Sequence, residues 1–179
     1  KLSRGLGDVY KRQIHHFEEH VVFNFIEWKL KYFNHSAAAL STEAILSILV
    51  FVIVGFVFLH LVKTNKASAY IVLYILFTIQ IINAIFHIFF SLYFNDFSPG
   101  TITAVLVYLP GNYLIVRSAF REGYLKGYVE YGFIALLGTT TFVLFEIYGP
   151  LVIGLSIISS FLYFFWFNKR LADKVLLDS

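Results

Sequence analysis

Apolar and polar positions alternate along this chain in long blocks rather than in short periods. A block of about 20 mostly apolar residues crosses the hydrocarbon core of a bilayer as a helix. The first such block runs from Ala44 to Val62 and the second from Ala69 to Phe94. The third, Thr101 to Val116, contains Pro110, which predicts a kink because proline lacks an N–H and clashes with the preceding turn. The last apolar stretch, Val129 to Phe167, is broken by Gly149-Pro150 and reads as a helical hairpin with a very short turn. Ile14-His15-His16 reads as the tail of a further helix whose beginning is lost. Residues 21–33, VVFNFIEWKLKYF, mix aromatics with Glu27, Lys29 and Lys31. They are too charged to span and predict an amphipathic helix lying in the outer interface. The expected fold is an all-α polytopic transmembrane bundle, with six helices in the intact protein and the first truncated here.

Composition agrees. Hydrophobic residues make up 59% of the 179 and charged residues 14%, against about 45–50% and about 25% in soluble domains. Cysteine is absent, which excludes a disulfide framework and a thiolate metal site. Residues 1–13, KLSRGLGDVYKRQ, have no apolar core and so are not a signal peptide. They resemble translated sequencing-adapter read-through and are expected to be a non-native leader, leaving 14–179 as a single transmembrane helical domain. Lys1, Arg4, Asp8, Lys11 and Arg12 account for the whole formal charge of +3. The remainder is balanced, and that excludes a nucleic-acid partner.

Basic residues set the orientation, because Lys and Arg concentrate in cytoplasmic loops. Lys63 and Lys66 follow the first clean span, Arg117, Arg121 and Lys126 the third, and Lys169, Arg170 and Lys174 close the chain. The connections NHSAAALSTE, NDFSPG and YGP carry no Lys or Arg. This places both ends in the cytoplasm, with the chain in the cytoplasmic membrane. Trp28, Tyr32, Tyr93 and Tyr148 should mark the outer interface, and Tyr70, Tyr124, Tyr128 and Trp166 the inner one. Lys29 and Lys31 are the exception to the charge pattern.

Ionisable groups in such a chain are costly and usually face a bundle interior. His15 and Glu19 are four residues apart and His15 and Glu18 three, so all three can face one point; Asn83 and His87 repeat the four-residue spacing. His87 lies six residues before Tyr93, roughly 9 Å below the outer end of its helix at about 1.5 Å per residue. Glu146, just before the Gly149-Pro150 turn, falls at the same end, as do Asp96, Thr101 and Thr103. Two imidazoles with two or three carboxylates could bind Zn²⁺, Mn²⁺ or Fe²⁺. They could equally form a hydrogen-bonded structural cluster, or a proton- or ligand-handling site. His16 and His20 also share a face with Glu19, about 100° from the His15 face, and read as interfacial. His35 and His60 fall outside the cluster. Ser98 reads as a helix N-cap with Pro99 at the first helical position.

His15-His16-Phe17-Glu18-Glu19, then Trp28, then Asn83 and His87, then Pro99 to Ala104 and Pro110, together resemble the bacterial HXXEE-domain membrane proteins over about residues 14–120. The resemblance implies a small polytopic membrane protein of uncharacterised function. It also implies that His15, Glu18, Glu19, Asn83 and His87 are the residues that matter. Taken with the residue chemistry, the leading expectation is a membrane-embedded metal-dependent hydrolase acting on a lipid-like or amphipathic substrate from the outer leaflet. Its metal ligands would come from His15, Glu19, His87 and Glu146, and its catalytic groups from Glu18, Glu19 and Asn83, with Asn83 orienting His87 or the substrate. The alternatives are a small proton- or cation-binding transporter or sensor, and a structural membrane protein.

Overall fold

The computed structural model describes residues 2–33 and 42–177, with side-chain surroundings for 10–33 and 44–170. His35 lies outside them. The described residues form seven helices. α1 is Leu2–Phe17, prolonged by a π-helical turn at Glu18–Val22; α2 is Phe25–Tyr32 and α3 Thr42–Val62. α4 (Lys66–Tyr93) and α5 (Thr101–Arg121) each contain a π-helical turn, at Phe77–Ile82 and Ala104–Tyr108. α6 is Tyr128–Tyr148 and α7 Leu151–Leu177. α1 runs unbroken across residues 13 and 14.

Five of these helices, α3 to α7, are long and apolar enough to cross a membrane, so the chain is a multi-span membrane protein. Polar signals extend two of them beyond their apolar blocks. α4 starts at Lys66 because Asn65 and Ser68 form a reciprocal capping box. α5 continues to Arg121, where Gly123 (φ +76°) lets Gly123 N–H and Tyr124 N–H bond back to the carbonyls of Phe120 and Ala119. The disturbance expected at Pro110 takes the form of the π-turn just ahead of it, where the ring would crowd a regular turn. Gly149 (φ +68°) ends α6 and makes the short hairpin into α7.

α4 is the axis of the bundle. Half of its apolar window is buried, against 11–28% for the other spans. Its Ala67, Ile71 and Ile75 pack against Val52, Ile53 and Phe56 of α3 and Phe164 of α7. Leu73 and Phe77 meet Ala119 of α5, Leu125 of the connection that follows it, and Ile134 of α6. Ala84 meets Ala104 and Tyr108 of α5. Small residues here let the backbones approach closely.

Polar contacts sort into two ends. At one, Lys66 pairs with Glu130 (2.7 Å), Asn65 with Asn168 and His60 with Ser68. At the other, α2 is pinned by Lys29 to Glu146 (2.6 Å) and by Lys31 to Asp96 (2.8 Å), with Tyr32 also donating to Asp96. These pairs give a partner to each of the two lysines that break the charge pattern: Lys31 meets Asp96 in the connection after α4, and Lys29 meets Glu146 in the last turn of α6. Tyr93, Tyr148 and Tyr128 are exposed, but Trp28 is buried, packed among Phe25, Tyr32, Phe33 and Phe94.

Candidate metal centre

Three helices meet at the polar end of the bundle, and each brings a π-turn with it. Such turns widen the backbone and re-aim side chains, and they occur often at functional sites. α1 and its π-turn carry His15, Glu18 and Glu19; α4 carries Asn83 and His87 just after its π-turn; α5 carries Thr103 just before its own.

His15, Glu19 and His87 come together as one buried group whose potential ligand atoms lie within 4.8 Å of one another. Both histidines have no solvent exposure and Glu19 has 4%. His15 Nε2 is 3.4 Å and His87 Nε2 3.0 Å from the same Glu19 oxygen, Oε1. The other nitrogen of each ring is tied to a hydroxyl. His15 Nδ1–H donates to Thr103 Oγ1, whose own proton goes to the Gly100 carbonyl. His87 Nδ1 pairs with Ser98 Oγ at 3.0 Å. Asn83 Nδ2 donates to His15 Nε2 at 2.8 Å, so that nitrogen is the unprotonated one and its lone pair is directed at Asn83. Anchoring of the far ring nitrogen is how metal-binding histidines are oriented and their tautomer fixed.

One atom of the group stands out. His87 Nε2 is buried and makes no hydrogen bond, and it stands 3.0 Å from Glu19 Oε1. An orphaned buried nitrogen beside a carboxylate is costly unless something else occupies the gap. The donor set, two imidazoles and a carboxylate, suits Zn²⁺, Mn²⁺ or Fe²⁺.

The residues expected from sequence divide. His15, Glu19, Asn83 and His87 lie together, with Asn83 on His15 rather than His87. Glu18 has a different partner: its carboxylate accepts from the backbone N–H groups of Gly100 (3.1 Å), Ile102 (3.0 Å) and Thr103 (2.7 Å). It therefore caps the N-terminus of α5, where a negative charge is favoured. Ser98, expected as that cap, instead holds His87 and is itself held by Ser91, and α5 starts at Thr101. Glu146 stands with Lys29, outside the buried group. His60 lies at the opposite end, on Ser68 and Tyr124.

Over residues 12–115, more than half its length, the chain matches the family described as protein of unknown function with HXXEE motif. This chain belongs to the HXXEE family. No curated protein and no solved structure matches it. In this HXXEE chain the three lettered residues of the motif divide two tasks. His15 and Glu19, one helical turn apart, face the buried group, and Glu18 docks their helix onto α5.

Several polar residues near the group carried no readable signal. Tyr108 is fully buried with its ring 4.5 Å from that of His15, and Arg12 reaches its hydroxyl. Asn112 donates to Gln80 Oε1 (2.9 Å) and to the Tyr108 carbonyl (2.8 Å), which extends a polar thread down the bundle. Gly100 is also part of the site. Its φ is +103°, and a Cβ there would lie 2.7 Å from His15 Cε1 and 2.9 Å from His87 Cε1. Only glycine lets the loop close over both rings.

Proposed function

We propose that this HXXEE chain is a membrane-embedded metal-dependent hydrolase acting on a lipid-like or amphipathic ester. The observation that carries the reading is the orphaned His87 Nε2, facing Glu19 and His15 inside a bundle of apolar helices. A bound Zn²⁺, Mn²⁺ or Fe²⁺ supplies Lewis acidity, which lowers the pKa of water and polarises a carbonyl or phosphoryl oxygen.

The chain's own residues have defined parts. His15, Glu19 and His87 are the ligands. Thr103 and Ser98 hold the rings, and Asn83 directs His15. Glu18 is a positioning residue that locks α1 to α5 and so fixes His15 and Glu19 against His87. A cavity of about 400 Å³ opens beside the group. Glu19 and Asn83 border it, and Val52, Phe56, Phe142 and Ile157 form apolar walls. That division suits a substrate with a polar head and an apolar chain.

The test is a panel of fluorogenic carboxyl and phosphate esters of varied chain length, given to purified protein loaded with Zn²⁺ or Mn²⁺. Turnover that depends on metal and is lost in Glu19→Gln is expected. Metal-free protein that stays metal-free after loading would contradict the reading.

A further inference from the structure

Glu19 has two carboxylate oxygens, and they face different histidines. Oε1 lies toward His15 and His87, while Oε2 lies 3.9 Å from His20 Nε2. His16 and His20, one turn apart, have ring centroids 4.5 Å from each other. With Glu19 they form a second group whose potential ligand atoms all lie within 4.8 Å. The two groups share only Glu19.

They also differ in access. His16, Glu19 and His20 all line the cavity, whereas His15 and His87 do not. His16 and His20 are half-buried; His15 and His87 are sealed. A catalytic metal site keeps a position open to substrate, and the His16–His20 side of Glu19 has the cavity that would supply it.

We infer that His16, His20 and Glu19 Oε2 hold a second divalent transition cation, so that Glu19 bridges two metals and only the second faces the cavity. A tetrahedral cation with bonds of about 2.0–2.1 Å sets its ligands about 3.4 Å apart. The group must therefore close by about 1 Å, within reach of two half-buried rings. The cavity supplies the remaining coordination positions. Its lining holds Lys29 and Glu146 as well as the histidines, and its apolar walls include Val52 and Phe56, which suits an amphiphile whose head reaches this cation. The inference deepens the hydrolase reading and rests on it, because both sites depend on Glu19.

The experiment is metal content per chain by elemental mass spectrometry on detergent-purified full chain, stripped and then loaded with Mn²⁺. Electron paramagnetic resonance of the same samples reads coupling between metals. Two Mn²⁺ per chain with a coupled signal are expected. His16→Ala and His20→Ala, both at half-buried positions, should each retain one Mn²⁺ with an uncoupled signal. Elution as a single species and unchanged helix content check that both variants fold. One Mn²⁺ per chain that survives both substitutions but is lost in His87→Ala would overturn the second site and leave the first standing. No Mn²⁺ in the unsubstituted chain would overturn both.

Discussion

Glu19 Oε1 lies 3.0 Å from His87 Nε2, yet that buried nitrogen forms no hydrogen bond. The pair joins the π-turn that prolongs α1, at the last residue of the HXXEE motif, to α4, and the proposed chemistry depends on what binds between them. Gln keeps the shape of Glu19 and one acceptor oxygen, so removing the charge should cost little when no metal is present. Glu19→Gln is expected to leave the metal-free protein within about 1–2 kcal/mol of its original stability. It should also abolish the rise in thermal midpoint on adding Zn²⁺. Thermal unfolding in detergent, with and without metal, checks both effects. A large loss of stability in the metal-free variant would mean that Glu19 is held by charge pairing alone.

Glu18 acts through the backbone of α5. Removing its charge takes an anion from a helix N-terminus, and Glu18→Ala also leaves the N–H groups of Gly100, Ile102 and Thr103 without their acceptor. A cost of about 1–2 kcal/mol is expected for Ala and less for Gln, which keeps one acceptor oxygen. Amide exchange by mass spectrometry should show the start of α5 losing protection first. Equal protection in the variant would rule out the capping role.

Gly100→Ala combines two penalties. The residue sits at φ +103°, and the new methyl would meet both His15 and His87. A destabilisation of about 1–3 kcal/mol is expected from the backbone alone, with metal affinity falling more steeply than stability because the rings must move. Titration with Zn²⁺ beside thermal unfolding separates the two. Unchanged affinity would show that the loop does not shape the site.

How far the sequence reached depended on the kind of interaction. The spans were legible because a bilayer demands length and apolarity from a contiguous segment. His15, Glu19, Asn83 and His87 were legible because ionisable and amide groups in apolar helices are costly and their four-residue spacing is a local property. Glu18 was not separable from Glu19, since its partners are backbone groups at the start of α5, some eighty residues away. Glu146 shared the right end of the bundle with the group, but its partner Lys29 depended on how α2 docks. The π-turns have no sequence signature, and the direct contact of His15 with Asn83 follows from the packing they set. The Gln80–Asn112 bond joins two helices at a distance that no local pattern records.

The docking of α2 should respond to pH at its Lys31–Asp96 contact. The Asp96 carboxyl is held below its ordinary value of 3.8, first by the hydrogen bond from Lys31 and then by that from Tyr32. Lys31 is raised above its ordinary 10.5, first by its bond to Asp96. A depressed acid stabilises the fold above its unfolded pKa and loses that contribution as pH falls through the folded one; a raised base loses its contribution as pH rises through its folded pKa. Amide exchange in residues 25–32 should therefore be protected evenly between these limits and loosen beyond either. Asp96→Asn should remove the acid limb, and added salt should weaken the whole effect because both groups are exposed. Protection that is unaffected by Asp96→Asn would place the hold on α2 elsewhere, in the Trp28 aromatic cluster.

The most direct test of the central claim is X-ray absorption at the zinc edge of Zn²⁺-loaded protein, compared with His87→Ala. The expected spectrum shows nitrogen and oxygen neighbours at about 2.0–2.1 Å with the outer-shell signature of imidazole, weakened or lost in the variant. Zinc that washes out of the unsubstituted chain, or a spectrum without imidazole, would contradict a metal centre at His15, Glu19 and His87.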